Sequence, residues 1–168
     1  MSENILKGRA FKFGDSISTD LIIPGRYAHL RSNLSELARH VLEDADPAFV
    51  DNVKNGDFVV AGKDFGLGSS REHAPLVIKM AGVSAIIAKS VARIFFRNAI
   101  NLGLPVLLCN TDTISTGDEL EVNLATGVIT DYTNQTELSF NKIPQVMLDI
   151  LGEGGLIPYI RKYGDFKL

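Results

Sequence analysis

Three short apolar segments, separated by segments with helical character, constrain the fold of this chain most strongly. Residues 58–61, 83–88 and 104–108 each have the length and composition of a buried strand. Helices are predicted between them, over about 71–81 and 91–101, the second with Ile94, Phe95 and Ala99 facing inward. Strands that alternate with helices in this way predict a parallel sheet with helices packed against it.

The N-terminal third is less regular. Residues 5–13 partly alternate between apolar and polar side chains, which predicts a further strand, and an apolar run over 21–23 ends at a Pro-Gly pair. Residues 26–32 have neither period and are predicted to form a loop. Asn33 is a candidate N-cap, with Glu36 three residues on as its capping-box partner, for a helix over 34–42; a second short helix is expected near 49–53.

The C-terminal part has a different pattern. Residues 119–124 and 128–132 alternate and are separated by a turn at 125–127, and 137–140 is a candidate for another strand. Helices are predicted over 144–151 and from about residue 156. The expected fold class is α/β, with a mainly parallel sheet core plus an antiparallel β portion.

Length and charge limit the function classes. A chain of 168 residues predicts one domain, residues 1–168. Seventeen basic and twenty acidic residues give a net charge of −3, which disfavours a general nucleic-acid binder. The apolar runs are too short for a membrane span, and the first fifteen residues lack the apolar stretch of a signal peptide. We therefore expect no nucleic-acid or membrane partner, and a cytoplasmic location.

The single cysteine, Cys109, restricts the metal chemistry of this chain. One thiol cannot form an internal disulfide, and it cannot build a zinc or iron–sulfur site from thiolates of this chain alone. We therefore expect no metal site and no cofactor bound by this chain itself.

The most informative segment is GKDFGLGSSREHAP, residues 62–75, which follows a predicted strand and precedes a predicted helix. Gly66 and Gly68 permit backbone angles that other residues resist. Ser69 and Ser70 are expected where the helix begins, so that their hydroxyls and free N–H groups face one spot that favours an anion. Arg71 adds a planar fork suited to a carboxylate.

Two other interpretations of this segment remain open. It can be a capped helix with a solvated Arg-Glu pair, or a loop that binds phosphate. The phosphate interpretation is weak, because the Lys-Ser/Thr ending of a P-loop is missing and a dinucleotide fingerprint needs a third glycine.

The string GSSREHA resembles the serine loop of the aconitase superfamily. The longer run GDFVVAGKDFGLGSSREHAPLVIKMAGVSAIIAKSVARIFFRNAINLGLPVL resembles the small subunits of 3-isopropylmalate dehydratase and their homoaconitase relatives, as does the opening FGDSISTDLIIPGRY. The resemblance spans nearly the whole chain. It implies the swivelling β/β/α domain that forms the C-terminal domain of aconitase.

The resemblance also implies a partner and a reaction. Such subunits assemble, as heterodimers or heterotetramers, with a large subunit that holds a [4Fe–4S] cluster through three cysteines, and the lone Cys109 agrees with that division. The paired enzyme is a hydro-lyase of leucine biosynthesis that dehydrates a malate derivative and rehydrates the alkene at the neighbouring carbon. By resemblance, Ser69 is the catalytic base, and Ser70 and Arg71 bind the dicarboxylate or tricarboxylate substrate. A serine serves as a base only where preorganised dipoles or a cation stabilise its alkoxide.

The substrate substituent is left open. In the family, isopropylmalate enzymes tend to present an apolar residue where homoaconitases present arginine, and Arg31 resembles the arginine version. Residues 26–32 are a residue or two longer than the family pattern, so Arg31 is either a substrate-binding residue or an outward-pointing surface arginine, and the second is favoured. Homoaconitase or dimethylmalate dehydratase activity is the alternative within this class, and a non-catalytic anion-binding module is the alternative from another class.

The remaining polar residues have simpler expectations. Asp20 is expected to form an Asx turn or a cap, with a position in the cleft to the large subunit as the alternative. Glu72 and His73 are expected to have structural roles. Arg93 and Arg97 are expected to be solvated or paired with the partner, and Lys89 and Ser90 have no assigned role.

Overall fold

The computed structural model describes residues 4–69 and 71–164, in which seven strands form one sheet of order β4-β3-β2-β1-β5-β6-β7. The strands are β1 (Ile5–Lys12), β2 (Phe58–Val60), β3 (Ala85–Ala88), β4 (Val106–Leu108), β5 (Glu119–Asn123), β6 (Val128–Asp131) and β7 (Thr136–Ser139). The α-helices are α1 (Thr19–Ile22), α2 (Leu34–Ala38), α3 (Phe49–Asn52), α4 (His73–Met80), α5 (Arg93–Asn101), α6 (Gln145–Gly152) and α7 (Leu156–Tyr163). The α/β class expected from the sequence is confirmed.

Strands β1 to β4 form the parallel half of the sheet. Strands β2, β3 and β4 are apolar along their length because both faces of the sheet are covered there. Val59 and Ile86 pack on one face with helices α4 and α5, whereas Phe58 and Ile87 pack on the other face, which α6 covers. The three apolar segments of the sequence therefore form neighbouring parallel strands, as predicted.

Strand β1 joins the two halves of the sheet. It pairs in parallel with β2, where Ala10 lies opposite Phe58, and antiparallel with β5, where Leu6 lies opposite Val122. Strands β5, β6 and β7 continue as the expected antiparallel portion. The turn between β5 and β6 is closed by the Asn123 side-chain oxygen, which accepts N–H bonds from residues 125 and 126.

The N-terminal third contains two short helical segments, one of them where the sequence analysis expects a loop. The apolar run over 21–23 lies mostly in helix α1, which the Ser18 side chain caps by accepting the Leu21 N–H. The segment expected to be a loop is largely a 3-10 helix, Gly25–Leu30. Such a helix needs only i→i+3 bonds and no amphipathic period, so the spacing of apolar residues does not reveal it.

Helix α2 begins as predicted and is shorter than predicted. The Asn33 side chain accepts the Glu36 N–H, which confirms the N-cap. The capping box is not formed, because the Asn33 N–H donates to the Leu30 carbonyl and the Glu36 carboxylate lies near Arg39 and His40.

None of the described helices is long and apolar enough to cross a membrane.

The loops after the parallel strands meet at one edge of the sheet. The Gly66 N–H, after β2, donates to the Ile17 carbonyl, after β1, at 2.7 Å. The Ala92 N–H, after β3, donates to the Phe65 carbonyl at 2.8 Å. The carboxyl ends of neighbouring parallel strands are where open α/β sheets bind ligands, so this edge is where the candidate site is expected.

Candidate active site

The serine loop, residues 62–69, is fixed by the segment that follows β1. The Ser16 N–H donates to the Lys63 carbonyl at 2.7 Å, and the Thr19 N–H donates to the Leu67 carbonyl at 2.8 Å. The Thr19 hydroxyl donates to the Ser69 carbonyl at 2.9 Å. The backbone of Ser69 is therefore held in place while its side chain stays exposed.

Both loop glycines adopt conformations that favour glycine. Gly66 has φ +80°, and a Cβ there would lie 2.5 Å from Cγ of Phe95. Gly68 has φ +105°, and a Cβ there would lie 3.3 Å from the Thr19 hydroxyl oxygen. Gly66 lets the loop pass directly over the ring of a buried α5 residue, and both glycines adopt backbone angles that other residues resist.

Helix α4 begins later than predicted, at His73. Ser69 therefore lies four residues before the helix and does not sit in its first turn, and no side chain caps α4 at Glu72. Orientation of Ser69 comes from the bonded loop rather than from the helix start. Ser70 lies outside the described residues.

Arg71 is anchored by three groups. Its Nη2 donates to Oδ1 of Asp20 at 2.5 Å, and its Nη1 donates to the Ile23 carbonyl at 3.2 Å. Its Nε donates to Oγ of Ser69 at 3.4 Å. The guanidinium thus joins the serine loop to helix α1, and it places a cation beside the hydroxyl proposed by resemblance as the base.

The expectation that Asp20 forms an Asx turn or cap is wrong. Ser18 caps α1, and the Asp20 carboxylate pairs with Arg71. The acidic partner of Arg71 is 51 residues away in the chain, so spacing gave no signal for it.

Ser69 and Arg71 open into a cleft of about 420 Å³. Its opposite wall is formed by the 3-10 helix and the residue after it, including Tyr27 and Arg31. The other residues that line it are Ile23, Gly25, Ala28, Leu37, Glu72 and His73. The structure therefore brings together Ser69, Arg71 and Arg31, three of the site residues predicted from the sequence.

Arg31 lines this cleft and is exposed. Within the described parts of the chain, its side chain has no hydrogen-bond or ion-pair partner. The side chain thus reaches solvent from within the cleft wall, and its role toward a substrate stays a prediction. Its guanidinium remains available to a bound anion.

Sequence reasoning missed the side chains that hold this wall, which we call the Tyr27 clamp: Arg26, Tyr27, His40, Glu43 and Asp44. The Tyr27 ring stacks on His40 with centroids 3.9 Å apart, and its hydroxyl donates to Oε2 of Glu43 at 2.6 Å. Nδ1 of His40 lies 3.1 Å from Oε1 of Glu43. Arg26 pairs with both acids. The Tyr27 hydroxyl, followed by His40, lowers the pKa of the Glu43 carboxyl, so the clamp keeps that group charged.

The other polar residues have local roles. The Ser90 hydroxyl accepts the Asp64 N–H at 2.8 Å and the Lys89 N–H donates to the Gly62 carbonyl at 3.0 Å, so both residues support the serine loop from the end of β3. The Lys89 side chain pairs with Asp112. Glu72 and His73 line the cleft, and within the described residues neither forms a hydrogen bond with Ser69. Cys109 is half-buried, and burial raises the pKa of its thiol to about 11.

The donors of this chain do not fit an iron–sulfur cluster. A cluster needs several thiolates, and the chain has one cysteine, whose raised pKa keeps it protonated at neutral pH. In residues 4–69 and 71–164, no group of three His, Cys, Asp or Glu side chains is placed to hold a metal ion.

Comparison with known proteins gives a consistent family. The family described as Aconitase C-terminal domain matches residues 16–111. The chain is 64% identical over 161 residues to 3-isopropylmalate dehydratase small subunit 2 of Archaeoglobus fulgidus, covering 96% of this chain and 98% of that protein. It is 52% identical over 161 residues to the isopropylmalate/citramalate isomerase small subunit of Methanocaldococcus jannaschii, covering 95% of each.

A solved structure agrees. The crystal structure of 3-isopropylmalate dehydratase from Methanocaldococcus jannaschii superposes with a TM-score of 0.90 at 46% identity, covering 95% of each chain. The resemblance stated from the serine loop is thereby confirmed. The chain belongs to the family of 3-isopropylmalate dehydratase small subunits, which are built on the aconitase C-terminal domain.

Proposed function

We propose that this chain is the small subunit of a two-subunit 3-isopropylmalate dehydratase, a hydro-lyase that interconverts 2-isopropylmalate and 3-isopropylmalate in leucine biosynthesis. The observation that carries the proposal is the meeting of Ser69, Arg71 and Arg31 at one cleft of about 420 Å³. Relatives over nearly the full length are named as small subunits of this enzyme, which supports a large-subunit partner.

In this proposal Ser69 removes and returns the proton. Dehydration breaks a C–H bond and the C–O bond on the neighbouring carbon, which leaves an alkene and releases water. Rehydration adds the hydroxyl to the carbon that lost the proton and a proton to the carbon that lost the hydroxyl. The product is therefore an isomer of the substrate. Ser69 Oγ accepts the Nε–H of Arg71 at 3.4 Å, a contact that stabilises the alkoxide form. The alkoxide takes the C–H proton and becomes the neutral hydroxyl, and it gives the proton back on rehydration.

Two arginines suit a dicarboxylate. Arg71 keeps N–H groups beyond those given to Asp20 and Ile23, and Arg31 has no partner within the described parts of the chain. We assign substrate carboxylates to these two guanidiniums, with Ser70 as a further substrate-binding residue.

The apolar part of the cleft suits the substituent. Ile23, Ala28 and Leu37 line the same cleft as the arginines, and an isopropyl group buried against them gains hydrophobic stabilisation. Citramalate, with a methyl group in place of isopropyl, is the second candidate substrate, which the Methanocaldococcus jannaschii relative named for both substrates favours.

The [4Fe–4S] cluster is assigned to the large subunit, since the donors of this chain do not fit it. When bound there, it supplies a Lewis acid to the departing hydroxyl. We further assign residues 1–168 to one swivelling domain and the enzyme to the cytoplasm. The large subunit decides whether the enzyme is a heterodimer or a heterotetramer.

The central test is Ser69→Ala in the enzyme reconstituted with the large subunit encoded in the same genome. Loss of a general base costs on the order of 10²–10⁴ in rate, so kcat falls by that factor while assembly is unchanged. Ser139→Ala on β7, an exposed serine far from the cleft, is the matched control and keeps the wild-type rate. Wild-type kcat in Ser69→Ala would refute the assignment of the base.

A second substitution separates binding from chemistry. Arg71→Lys keeps the charge and loses the planar fork, so it raises KM for isopropylmalate more than it lowers kcat. An unchanged KM would contradict the role of Arg71 as a carboxylate ligand.

A further inference from the structure

A ladder of hydrogen bonds joins the serine loop to the segment after β1. Three of its bonds link backbone groups: Ser16 with Lys63, Ile17 with Gly66, and Thr19 with Leu67. The bond at the serine itself is different, because the donor is the Thr19 hydroxyl and the acceptor is the Ser69 carbonyl, at 2.9 Å. Every residue except proline can donate a backbone bond. The bond at Ser69, in contrast, depends on which side chain stands at position 19.

The Thr19 side chain is fixed by its surroundings. Thr19 is the first residue of helix α1 and is 3% exposed. The Ser18 side chain caps this helix by accepting the Leu21 N–H, so the backbone that carries Thr19 is itself held. A β-branched side chain has few favoured rotamers, and burial narrows them further. The hydroxyl is therefore presented to the Ser69 carbonyl in one direction.

Gly68 makes room for this bond. A Cβ at Gly68 would lie 3.3 Å from the Thr19 hydroxyl oxygen, and 3.9 Å from both the Thr19 nitrogen and Cβ of Ser18. A methyl group there would press on the hydroxyl that donates to the next residue. The glycine thus lets the loop approach helix α1 closely enough for the bond to Ser69 to form.

Helix α1 also holds the second group of the site. Asp20, the residue after Thr19, pairs with Arg71, and the Ile23 carbonyl accepts a further bond from the same guanidinium at 3.2 Å. Arg71 Nε and Ser69 Oγ are 3.4 Å apart, which is at the long end of the range for a hydrogen bond. A small displacement of either residue would therefore break their contact.

We propose that Thr19 is a positioning residue for proton transfer: its hydroxyl fixes the Ser69 carbonyl and thereby keeps Ser69 Oγ within reach of Arg71 Nε. The proposal rests on the proposed function. Thr19 does not line the 420 Å³ cleft, so it acts through Ser69 rather than on the substrate. Its loss should therefore lower kcat and leave KM unchanged, whereas loss of Asp20 acts mainly on KM through Arg71.

The test measures kcat and KM for isopropylmalate in the enzyme reconstituted with the large subunit from the same genome. Thr19→Val removes the hydroxyl with little change of shape, and Thr19→Ser keeps the hydroxyl. The matched control is Thr111→Val, because the Thr111 hydroxyl is buried and also donates to a distant backbone carbonyl, that of Ala61, at 2.7 Å. Urea unfolding of each free chain, followed by circular dichroism, compares the losses of stability.

A misplacement of about 1 Å costs on the order of 10² in rate, so we expect Thr19→Val to lower kcat at least tenfold, with KM within twofold of wild type. Thr19→Ser should stay within about threefold of the wild-type kcat. Thr111→Val should keep kcat within about twofold, although its unfolding midpoint falls at least as far, since the bond that it loses is more deeply buried.

A double variant asks whether Thr19 acts through Ser69. In a Ser69→Ala background, Thr19→Val should change the residual kcat by less than about twofold, because the group that it positions is already gone. A further tenfold loss in that background would show that Thr19 supports the site as a whole.

Four outcomes would overturn the role of Thr19 while leaving the proposed function intact. They are wild-type kcat in Thr19→Val, an equal loss in Thr19→Ser, an equal loss in Thr111→Val, and a full further loss in the Ser69→Ala background. A reconstituted wild-type enzyme that does not turn over isopropylmalate would instead overturn the proposed function itself.

Discussion

Replacing Gly66 by alanine tests how tightly the serine loop is built onto α5. The residue has φ +80°, and the new Cβ would lie 2.5, 2.7 and 2.8 Å from three atoms of Phe95, which is itself 3% exposed. A left-handed conformation costs a non-glycine residue about 1–2 kcal/mol, and forcing an extra methyl group into a packed core costs about 1–3 kcal/mol. The free energy of unfolding should therefore fall by roughly 2–5 kcal/mol.

Urea unfolding of the purified chain, followed by circular dichroism, measures that change. Gly25→Ala is the matched control, because its Cβ meets nothing within 4 Å and its φ is not positive; it should change stability by less than about 0.5 kcal/mol. The reconstituted Gly66→Ala enzyme should also lose kcat, because relief of the clash moves the loop that carries Ser69. A stability within about 0.5 kcal/mol of wild type would show that the loop is not constrained by Phe95.

Three further substitutions or treatments probe the site. Arg31→Val removes a guanidinium assigned to a substrate carboxylate, so KM should rise at least tenfold for isopropylmalate and citramalate alike. A tenfold gain in kcat/KM for isopropylmalate over a substrate with a distal carboxylate would instead show that Arg31 contacts the substituent and selects between substrates. Asp20→Asn removes the charge that anchors Arg71, and KM should rise more than kcat falls, whereas equal wild-type kinetics would remove Asp20 from the positioning of the site. Burial raises the pKa of the Cys109 thiol to about 11, so at pH 9 only about one hundredth of it is thiolate. Iodoacetamide should label the native chain roughly fifty-fold more slowly at pH 9 than the urea-unfolded chain, and equal rates would show that the thiol is not shielded.

Strands β2, β3 and β4 were predictable because each is buried on both faces and therefore carries a continuous apolar run. Strand β1 was predictable as a strand, and its position between β2 and β5 was not. That position depends on pairings such as Leu6 with Val122, which are distant in sequence and leave no local pattern. The same reason explains why the Arg71–Asp20 pair was missed.

The position of Ile94 shows a different limit. The sequence places it beside Phe95 and Ala99 in a helix of mixed character, and we expected all three to face inward. At 3.6 residues per turn, Phe95 and Ala99 share one face, whereas Ile94 is rotated by about 100° from Phe95 and away from Ala99. The expectation followed the apolar character of Ile94 instead of its position on the helix, so it misses an apolar residue that the fold leaves at the surface.

The serine loop and the opposite wall of the cleft, which holds the Tyr27 clamp, are fixed by different kinds of contact. The serine loop is bonded through its backbone to the segment after β1, whereas the opposite wall is fixed largely by the side chains Tyr27, His40 and Glu43. A change in those side chains can reshape the wall without altering any strand pairing or the Ser69 backbone. The cleft wall in this fold is therefore free to diverge between relatives by a few substitutions, while the Ser69 backbone stays where it is.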